Sequence, residues 1–226
     1  MGEAIGQVLT LGIGVALSPL PIIAVVLMLG TPRARSNSLA FLCGWLLGLA
    51  VVGALVLVIS GSADASSKGA PATWVDVLKL VLGALLLGFA LRTWHRRPTG
   101  EGDEAALPGW MQAIDSFTAP RALGLAALLS GVNPKNLMMT LGAATAIAQT
   151  GIGAGGQAGA LAVFIAIGTL GPGLPVVLYF ALGERAEQLL SSLKGWMAAN
   201  NTTIMAVLCL LIATKLLGDG ISGLST

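Results

Sequence analysis

Long apolar segments recur along this 226-residue chain and restrict what it can fold into. A helix needs about 20 consecutive apolar residues to cross the hydrocarbon core of a bilayer. Charged residues make up only 10% of the sequence, whereas soluble domains carry roughly 25%. Six apolar segments of 16 to 27 residues lie near or above this length, so the sequence predicts an all-α integral membrane protein with six transmembrane helices. They cover residues 5–29, 39–60, 75–93, 122–148, 159–182 and 202–217.

The ionisable and sulfur-containing side chains exclude several classes of function. A formal net charge of +2 is too small to indicate a nucleic-acid partner. The single histidine, His95, lies in a polar connection, and Cys43 and Cys209 each stand alone in an apolar segment. Neither cysteine has the spacing of a metal site or of a disulfide framework. We therefore expect no metal, no cofactor and no enzymatic activity.

Two polar motifs that contain proline interrupt the apolar segments. Residues 131–136 of the fourth segment read Gly-Val-Asn-Pro-Lys-Asn, and residues 18–21 of the first read Ser-Pro-Leu-Pro. Proline removes a backbone donor and clashes with the preceding turn, so it leaves carbonyl groups without helical partners. In hydrocarbon such groups are costly unless protein, water or a ligand satisfies them. We therefore predict a substrate site at two broken helices, formed by Ser18, Pro19, Pro21, Asn133, Pro134, Lys135 and Asn136.

Lys135 is the charged residue of this predicted site. The N-terminal end of a half-helix attracts anionic groups, and Lys135 would add a full positive charge beside it. We therefore expect an anionic or polar headgroup, or a carboxylate, near Lys135, Asn133 and Asn136. In the alternative interpretation Lys135 snorkels to the cytoplasmic face and Pro134 only kinks the helix. Lys135 falls about 14 residues, or ~21 Å, into the segment, which is deep for snorkelling.

The proline motifs also predict an internal repeat. Aligning residues 17–19 with 132–134 pairs the first segment with the fourth, the second with the fifth and the third with the sixth. Three spans is an odd number, so the second copy must be inverted, and such folds bind their substrates at the repeat interface near the midplane. We expect a first three-helix repeat at 1–93 and a second at 122–226. Between them, 94–121 forms a cytoplasmic loop with a short amphipathic helix at 106–117.

The fifth segment concentrates small residues and prolines. Two interpretations stay open: the small residues permit close helix packing, or the stretch is a flexible hinge or unwound segment that faces the same cavity. Both interpretations can be true at once, because close packing and a hinge would use the same residues. These residues are Gly168, Gly171, Pro172, Gly173 and Pro175.

Basic residues are distributed unevenly between the connections. The connections after the first, third and fifth segments contain Arg33, Arg35, Arg96, Arg97, Arg121, Arg185 and Lys194. Since loops rich in lysine and arginine face the cytoplasm, both termini are predicted to face outward. We expect a multi-pass protein of the bacterial inner (plasma) membrane. At the outer side, Asp76 and Lys79 predict a local ion pair, and Lys215, four residues before Asp219, predicts an interfacial anchor.

Three motifs carry a resemblance to a known family. Residues 16–22, 30–35 and 131–136 resemble motifs of the lysine-exporter (LysE) superfamily. Within it they resemble the GAP family, the sulfolipid-addressing (peptidoglycolipid-addressing) proteins of mycobacteria and their relatives. The resemblance implies outward movement of cell-envelope glycolipids, or of small solutes in sister families, across the inner membrane. It also implies that Pro19, Pro21, Asn133, Pro134 and Lys135 line the transport path.

Departures from other branches of that superfamily narrow the expected chemistry. The thiol-redox branch places a cysteine beside each proline motif, where this chain has Ser18 and Asn133. Metal-exporting branches use histidine and acidic ligands inside the spans, and this chain has one histidine in all. Electron transfer and metal export are therefore disfavoured, which leaves an organic solute or a lipid.

The most favoured function is export or flipping of a cell-envelope lipid, glycolipid or related organic anion through the two broken helices. One alternative is an exporter of a small amino-acid-like metabolite. Another is a non-transporting scaffold of a glycolipid synthesis or export complex, but a scaffold has no need of paired unwound helices. Expected partners are membrane lipids, the small organic or lipid substrate, and either a second copy in a homodimer or the envelope lipid synthesis and export machinery.

Overall fold

The computed structural model describes residues 2–62, 66–67, 70–71, 73–95, 114 and 116–225. Eight helices and one short antiparallel strand pair form the regular structure of this part of the chain. The strands are β1 (Ser66–Ser67) and β2 (Ala70–Pro71). The helices are α1 (Gly2–Ala16), α2 (Pro19–Leu29), α3 (Ala34–Ser62), α4 (Thr73–His95), α5 (Ala119–Gly131), α6 (Pro134–Gln149), α7 (Ala154–Leu182) and α8 (Glu184–Leu224).

Several of the described helices are long and apolar enough to cross a membrane. Three of them, α3, α7 and α8, each meet the requirement alone. The pair α1 and α2, bent by 52° at its junction, makes a fourth if it is counted as one broken span. The prediction of an all-α protein that crosses the membrane several times is confirmed. The number of six spans, the outward termini and the bacterial inner membrane stay predictions.

Both proline motifs end one helix and begin another. Leu17 and Ser18 separate α1 from α2, and Val132 and Asn133 separate α5 from α6. Each second helix starts on its proline, where the missing N–H costs nothing because the first amides of a helix lack intrahelical acceptors anyway. The predicted first and fourth segments are therefore each divided in two, and each break is two residues long.

The end of the chain differs from the prediction. We expected a connection up to residue 201 and a span only from 202, but α8 begins at Glu184 directly after Gly183. Gly183 has φ of +57°, which glycine adopts at little cost. Ala186, Leu190 and Met197 recur at helical spacing and are buried, with α2 among the neighbours of α8. Apolar packing therefore extends the helix, and it places Arg185 and Lys194 on α8 rather than in a loop.

The stretch 168–175 is helical throughout, with Pro172 and Pro175 inside α7. The unwound segment considered from the sequence is therefore not observed, and the hinge stays a prediction. Pro172 cannot donate to the carbonyl of Gly168, and the indole Nε1 of Trp45 donates to that oxygen instead, at 3.3 Å. A hydrogen bond from α3 thus replaces the donor that Pro172 lacks.

Contacts between the two predicted repeats hold the fold together. Helix α1 packs on α7, α3 packs on α5, and α4 packs on α8. Gly44 and Gly48 of α3 allow the contact between α3 and α5. A methyl group at Gly44 would overlap Leu123, and one at Gly48 would overlap Ser130. A 3+3 inverted repeat requires reciprocal pairing of this kind, and the repeat itself stays a prediction. The predicted amphipathic helix at 106–117 lies largely outside the described residues.

Candidate functional site

The first helix break leaves one carbonyl group without its helical donor. The amide of Leu17 donates to Ile13 at 2.9 Å, and the amide of Ser18 donates to Val15 at 3.2 Å. In a continuous helix the Ser18 amide would bond to Gly14, four residues earlier. The turn that leads into Pro19 therefore frees the Gly14 carbonyl oxygen, which needs another donor in an apolar environment.

Lys135 supplies that donor from the other half of the chain. Its Nζ donates to the carbonyl oxygen of Gly14 at 2.8 Å and to Oγ of Ser18 at 2.6 Å. The residue is 1% exposed, so it is buried inside the protein and does not snorkel. These two bonds use two of the three ammonium hydrogens. The cation of α6 is thereby tied to the break between α1 and α2.

The second break repeats this arrangement with a neutral side chain. The amides of Val132 and Asn133 both donate to Leu128, at 2.9 and 3.1 Å, which frees the carbonyl oxygen of Leu129. Nδ2 of the fully buried Asn136 donates to that oxygen at 2.9 Å. Oδ1 of Asn133 caps α6 by accepting from the amide of Lys135 at 3.1 Å.

A direct hydrogen bond joins the two breaks. Oγ of Ser18 donates to Oδ1 of Asn136 at 2.9 Å, while it accepts from Lys135. The freed carbonyls occupy equivalent positions, since Gly14 and Leu129 each lie five residues before the proline that starts the next helix. We call this set of groups the break network. It consists of Gly14, Ser18, Leu129, Asn133, Lys135 and Asn136.

The break network brings together most of the residues predicted from the motifs. Ser18, Lys135 and Asn136 contact one another, and Asn133 holds the start of α6. Pro19, Pro21 and Pro134 contribute by position, as each lies in the first turn of a half-helix. Sequence reasoning missed Gly14 and Leu129, because both act through backbone oxygens. Their position, five residues before a proline that starts a helix, is the sequence feature that could have identified them.

Helix α7 closes the network from the other side. Gly171 lies so close to the last turn of α1 that a methyl group there would overlap the carbonyl oxygen of Ala16, and Gly168 faces Val15. The last turn of α1 is thus held between α6 and α7. Gly168 and Gly171 are consequently packing residues in this structure, whereas a methyl group at Gly173 would meet the Thr169 methyl group at an ordinary contact distance of 3.7 Å.

The electrostatic environment of Lys135 is unusual for a buried cation. Among the described residues, its Nζ donates hydrogen bonds to a carbonyl and a hydroxyl, both neutral. The ion pairs formed by the described residues are Asp76–Lys79 and Asp219–Lys215, and neither involves Lys135. Buried charges in proteins are ordinarily paired. Within the described structure the positive charge of Lys135 is therefore hydrogen-bonded but not neutralised.

A second polar cluster lies at the opposite end of α6, at the predicted outer side. The predicted pair of Asp76 and Lys79 is present at 3.6 Å, and Asp76 is 2% exposed. Nε2 of Gln149 also donates to Oδ1 of Asp76 at 3.1 Å, and Gly223 packs directly on the carboxylate. This cluster joins α4, α6 and α8. Among the described residues, no group of three histidine, cysteine or acidic side chains could hold a metal ion.

Comparison with known proteins gives one result at the level of the family. A family model described as Sap, sulfolipid-1-addressing protein, matches residues 8–222 of the chain. This match covers nearly the whole sequence, including both proline motifs. No curated protein and no solved structure gives a significant match.

Proposed function

Because this chain belongs to the sulfolipid-1-addressing protein family, we propose that it is an inner-membrane transporter for an anionic lipid of the cell envelope. In this proposal the protein exports or flips the lipid, and the lipid headgroup binds at the break network. The observation that carries the proposal is Lys135, a buried cation that donates hydrogen bonds to two neutral groups and forms no ion pair with any described residue.

An anionic headgroup would complete the coordination of this lysine. Sulfate, phosphate and carboxylate oxygens form charge-assisted hydrogen bonds, which are roughly twice as strong as neutral ones. Such a group would compete with Gly14 and Ser18 for the ammonium hydrogens of Lys135. Exchange of these partners would release α1 from α6, which supports transport by rocking of one repeat against the other.

The paired breaks favour a transporter over a scaffold. Each break exposes a backbone carbonyl that needs compensation in hydrocarbon. Lys135 and Asn136, neighbours at the start of α6, satisfy both carbonyls, and Ser18 of the first half bonds to both side chains. A protein that only holds partners together gains nothing from these costly features. A carboxylate of a small amino-acid-like metabolite would also fit Lys135, so the experiment must separate a lipid from a solute.

The test is replacement of Lys135 by alanine in a strain whose own gene is deleted. Headgroup-resolved lipidomics of the inner and outer envelope measures export by the wild type, Lys135→Ala and Lys215→Ala. Lys215 is a suitable control, because it is a partly exposed lysine that pairs with Asp219 on its own helix. We expect Lys135→Ala to abolish outward transfer of one anionic lipid and Lys215→Ala to preserve it.

Two results would overturn the proposal. One is normal lipid transfer by Lys135→Ala at normal expression. The other is an unchanged lipid distribution in the deletion strain together with altered efflux of a small metabolite, which would establish the solute exporter instead.

A further inference from the structure

A groove follows α2 where it packs between α7 and α8, and two cavities lie in it. The first cavity has a volume of about 410 Å³ and an apolar lining that includes Leu17, Ile22, Leu174, Pro175 and Trp196. It adjoins the α1–α2 break directly, since Leu17 is one of the two residues between these helices. Cavities of 300–1,000 Å³ are the usual size for organic ligands.

The second cavity has a volume of about 350 Å³ and a polar end. Its lining includes Val26, Tyr179, Ser191 and Lys194. Lys194 is half-buried and forms no ion pair with any residue that the structure describes. The residues that line this cavity therefore include one with an ammonium group and two with hydroxyl groups, together with apolar residues of α2.

The two cavities lie next to each other along α7 and α8. Leu178 and Leu193 line the apolar cavity, and their chain neighbours Tyr179 and Lys194 line the polar one. The groove therefore changes from polar to apolar along its length. Its polar end lies beside Gly30, at the end of the bundle where the basic residues of the α2–α3 turn occur.

The apolar part of the groove is open at the side. Leu17, Leu174 and Trp196 are 46%, 57% and 60% exposed. In a bilayer these side chains face acyl chains, so a lipid tail can enter laterally without crossing a polar barrier. A cation at the polar end of such a groove matches a lipid with a negatively charged headgroup.

We propose that this groove, formed by α2, α7 and α8, is a binding site for an anionic membrane lipid. The headgroup binds Lys194 with Ser191 and Tyr179, and an acyl chain occupies the apolar cavity beside the α1–α2 break. The inference rests on the proposed function and names the position from which a lipid reaches Lys135. Helix α2, about 16 Å long at 1.5 Å per residue, separates the polar end of the groove from the break.

The binding test uses the purified full-length protein and native mass spectrometry. Phosphatidylglycerol is titrated as the anionic probe and phosphatidylcholine as the zwitterionic one. We expect one saturable phosphatidylglycerol molecule and no saturable phosphatidylcholine. Lys194→Gln should weaken phosphatidylglycerol binding about fivefold, the effect of one partly exposed ion pair. Arg185→Gln is the matched control, since Arg185 is an exposed cation of α8 that does not line the groove.

A second pair of variants tests the acyl-chain part. Leu174→Trp should fill the apolar cavity and remove saturable binding. Val177→Trp, on the same helix and 62% exposed outside the cavity lining, should leave it unchanged. Both sites are exposed, so neither bulky side chain should prevent folding.

Three results would overturn the groove site: equal binding of the two lipids, equal loss in Lys194→Gln and Arg185→Gln, or wild-type binding by Leu174→Trp. Its failure is distinguishable from failure of the transport proposal. In the Lys135→Ala background, Lys194→Gln should still weaken phosphatidylglycerol binding about fivefold, since Lys135 does not line the groove. If phosphatidylglycerol binds saturably and Lys135→Ala still exports lipid normally, the transport site at Lys135 is refuted and the groove site is supported.

Discussion

The ammonium nitrogen of Lys135 lies 2.8 Å from the carbonyl oxygen of Gly14, a residue 121 positions earlier in the chain. This hydrogen bond joins the cation of one predicted repeat to the carbonyl that the proline motif of the other repeat frees. It makes the two helix breaks one structural unit. A ligand that competes for Lys135 would therefore act on the contact between the halves.

Replacing Ser18 by alanine tests the central hydroxyl of the break network. The change removes the acceptor of Lys135 and the donor to Asn136, both in a buried site. We expect the free energy of unfolding to fall by about 1–3 kcal/mol, the cost of leaving buried polar groups unpaired, and export to decrease. Thermal unfolding in detergent and envelope lipidomics measure the two effects.

Ser38→Ala is the control for this change. Ser38 is also buried, but within the described part of the chain its hydroxyl bonds locally, to the carbonyl of Arg35 on the preceding turn. Equal destabilisation by Ser18→Ala and Ser38→Ala would show that the contact between the breaks contributes nothing beyond a local hydrogen bond.

A methyl group at Gly171 tests the close contact of α7 with α1. Since it would overlap the Ala16 carbonyl oxygen, Gly171→Ala should destabilise the protein by about 1–3 kcal/mol, as overpacked cores do. Gly173→Ala, two residues further on, meets the Thr169 methyl group at an ordinary 3.7 Å and should raise stability by about 0.5–1 kcal/mol, since alanine favours a helix interior over glycine. Thermal unfolding compares them. Loss of export by a stable Gly173→Ala would instead support the hinge.

Replacing Asp76 by alanine tests the polar cluster at the predicted outer end. The change leaves Lys79 and the amide of Gln149 without their shared carboxylate. We expect a loss of about 1–3 kcal/mol in the free energy of unfolding, because Lys79 is buried and Gln149 is partly buried. Asp219→Ala removes a partly exposed pair and should cost at most about 1 kcal/mol. Similar unfolding midpoints for the two variants would contradict this ranking.

Cysteine labelling tests the predicted orientation. The background is a protein with Cys43 and Cys209 replaced by alanine. In it, Ser36→Cys reports on the start of α3, and Gly153→Cys reports on the turn before α7. Both positions are exposed. An impermeant maleimide should label Gly153→Cys in intact cells and Ser36→Cys only after permeabilisation, because basic loops face the cytoplasm. The reverse pattern would invert the topology.

The positions of the two breaks could be read from the sequence, because a missing amide hydrogen is a covalent property of Pro19 and Pro134. Their consequence for Gly14 and Leu129 could not. The partner of a freed carbonyl does not follow from the break itself: Lys135, 121 residues away, satisfies Gly14, and Asn136, seven residues further on, satisfies Leu129. Likewise, Gly168 to Pro175 looked equally suited to a hinge and to packing until α1 and Trp45 were placed against them.

The sequence by itself determined that this protein belongs to the membrane, that its helices break at two proline motifs and which family it resembles, since hydropathy, proline geometry and motif order are local properties. Only the tertiary structure decided that α8 starts at Glu184, that α7 stays helical and that Lys135 reaches Gly14. The physical reason is that these features depend on contacts between segments more than 100 residues apart. Those contacts supply the hydrogen-bond partners that a proline-broken segment lacks within itself.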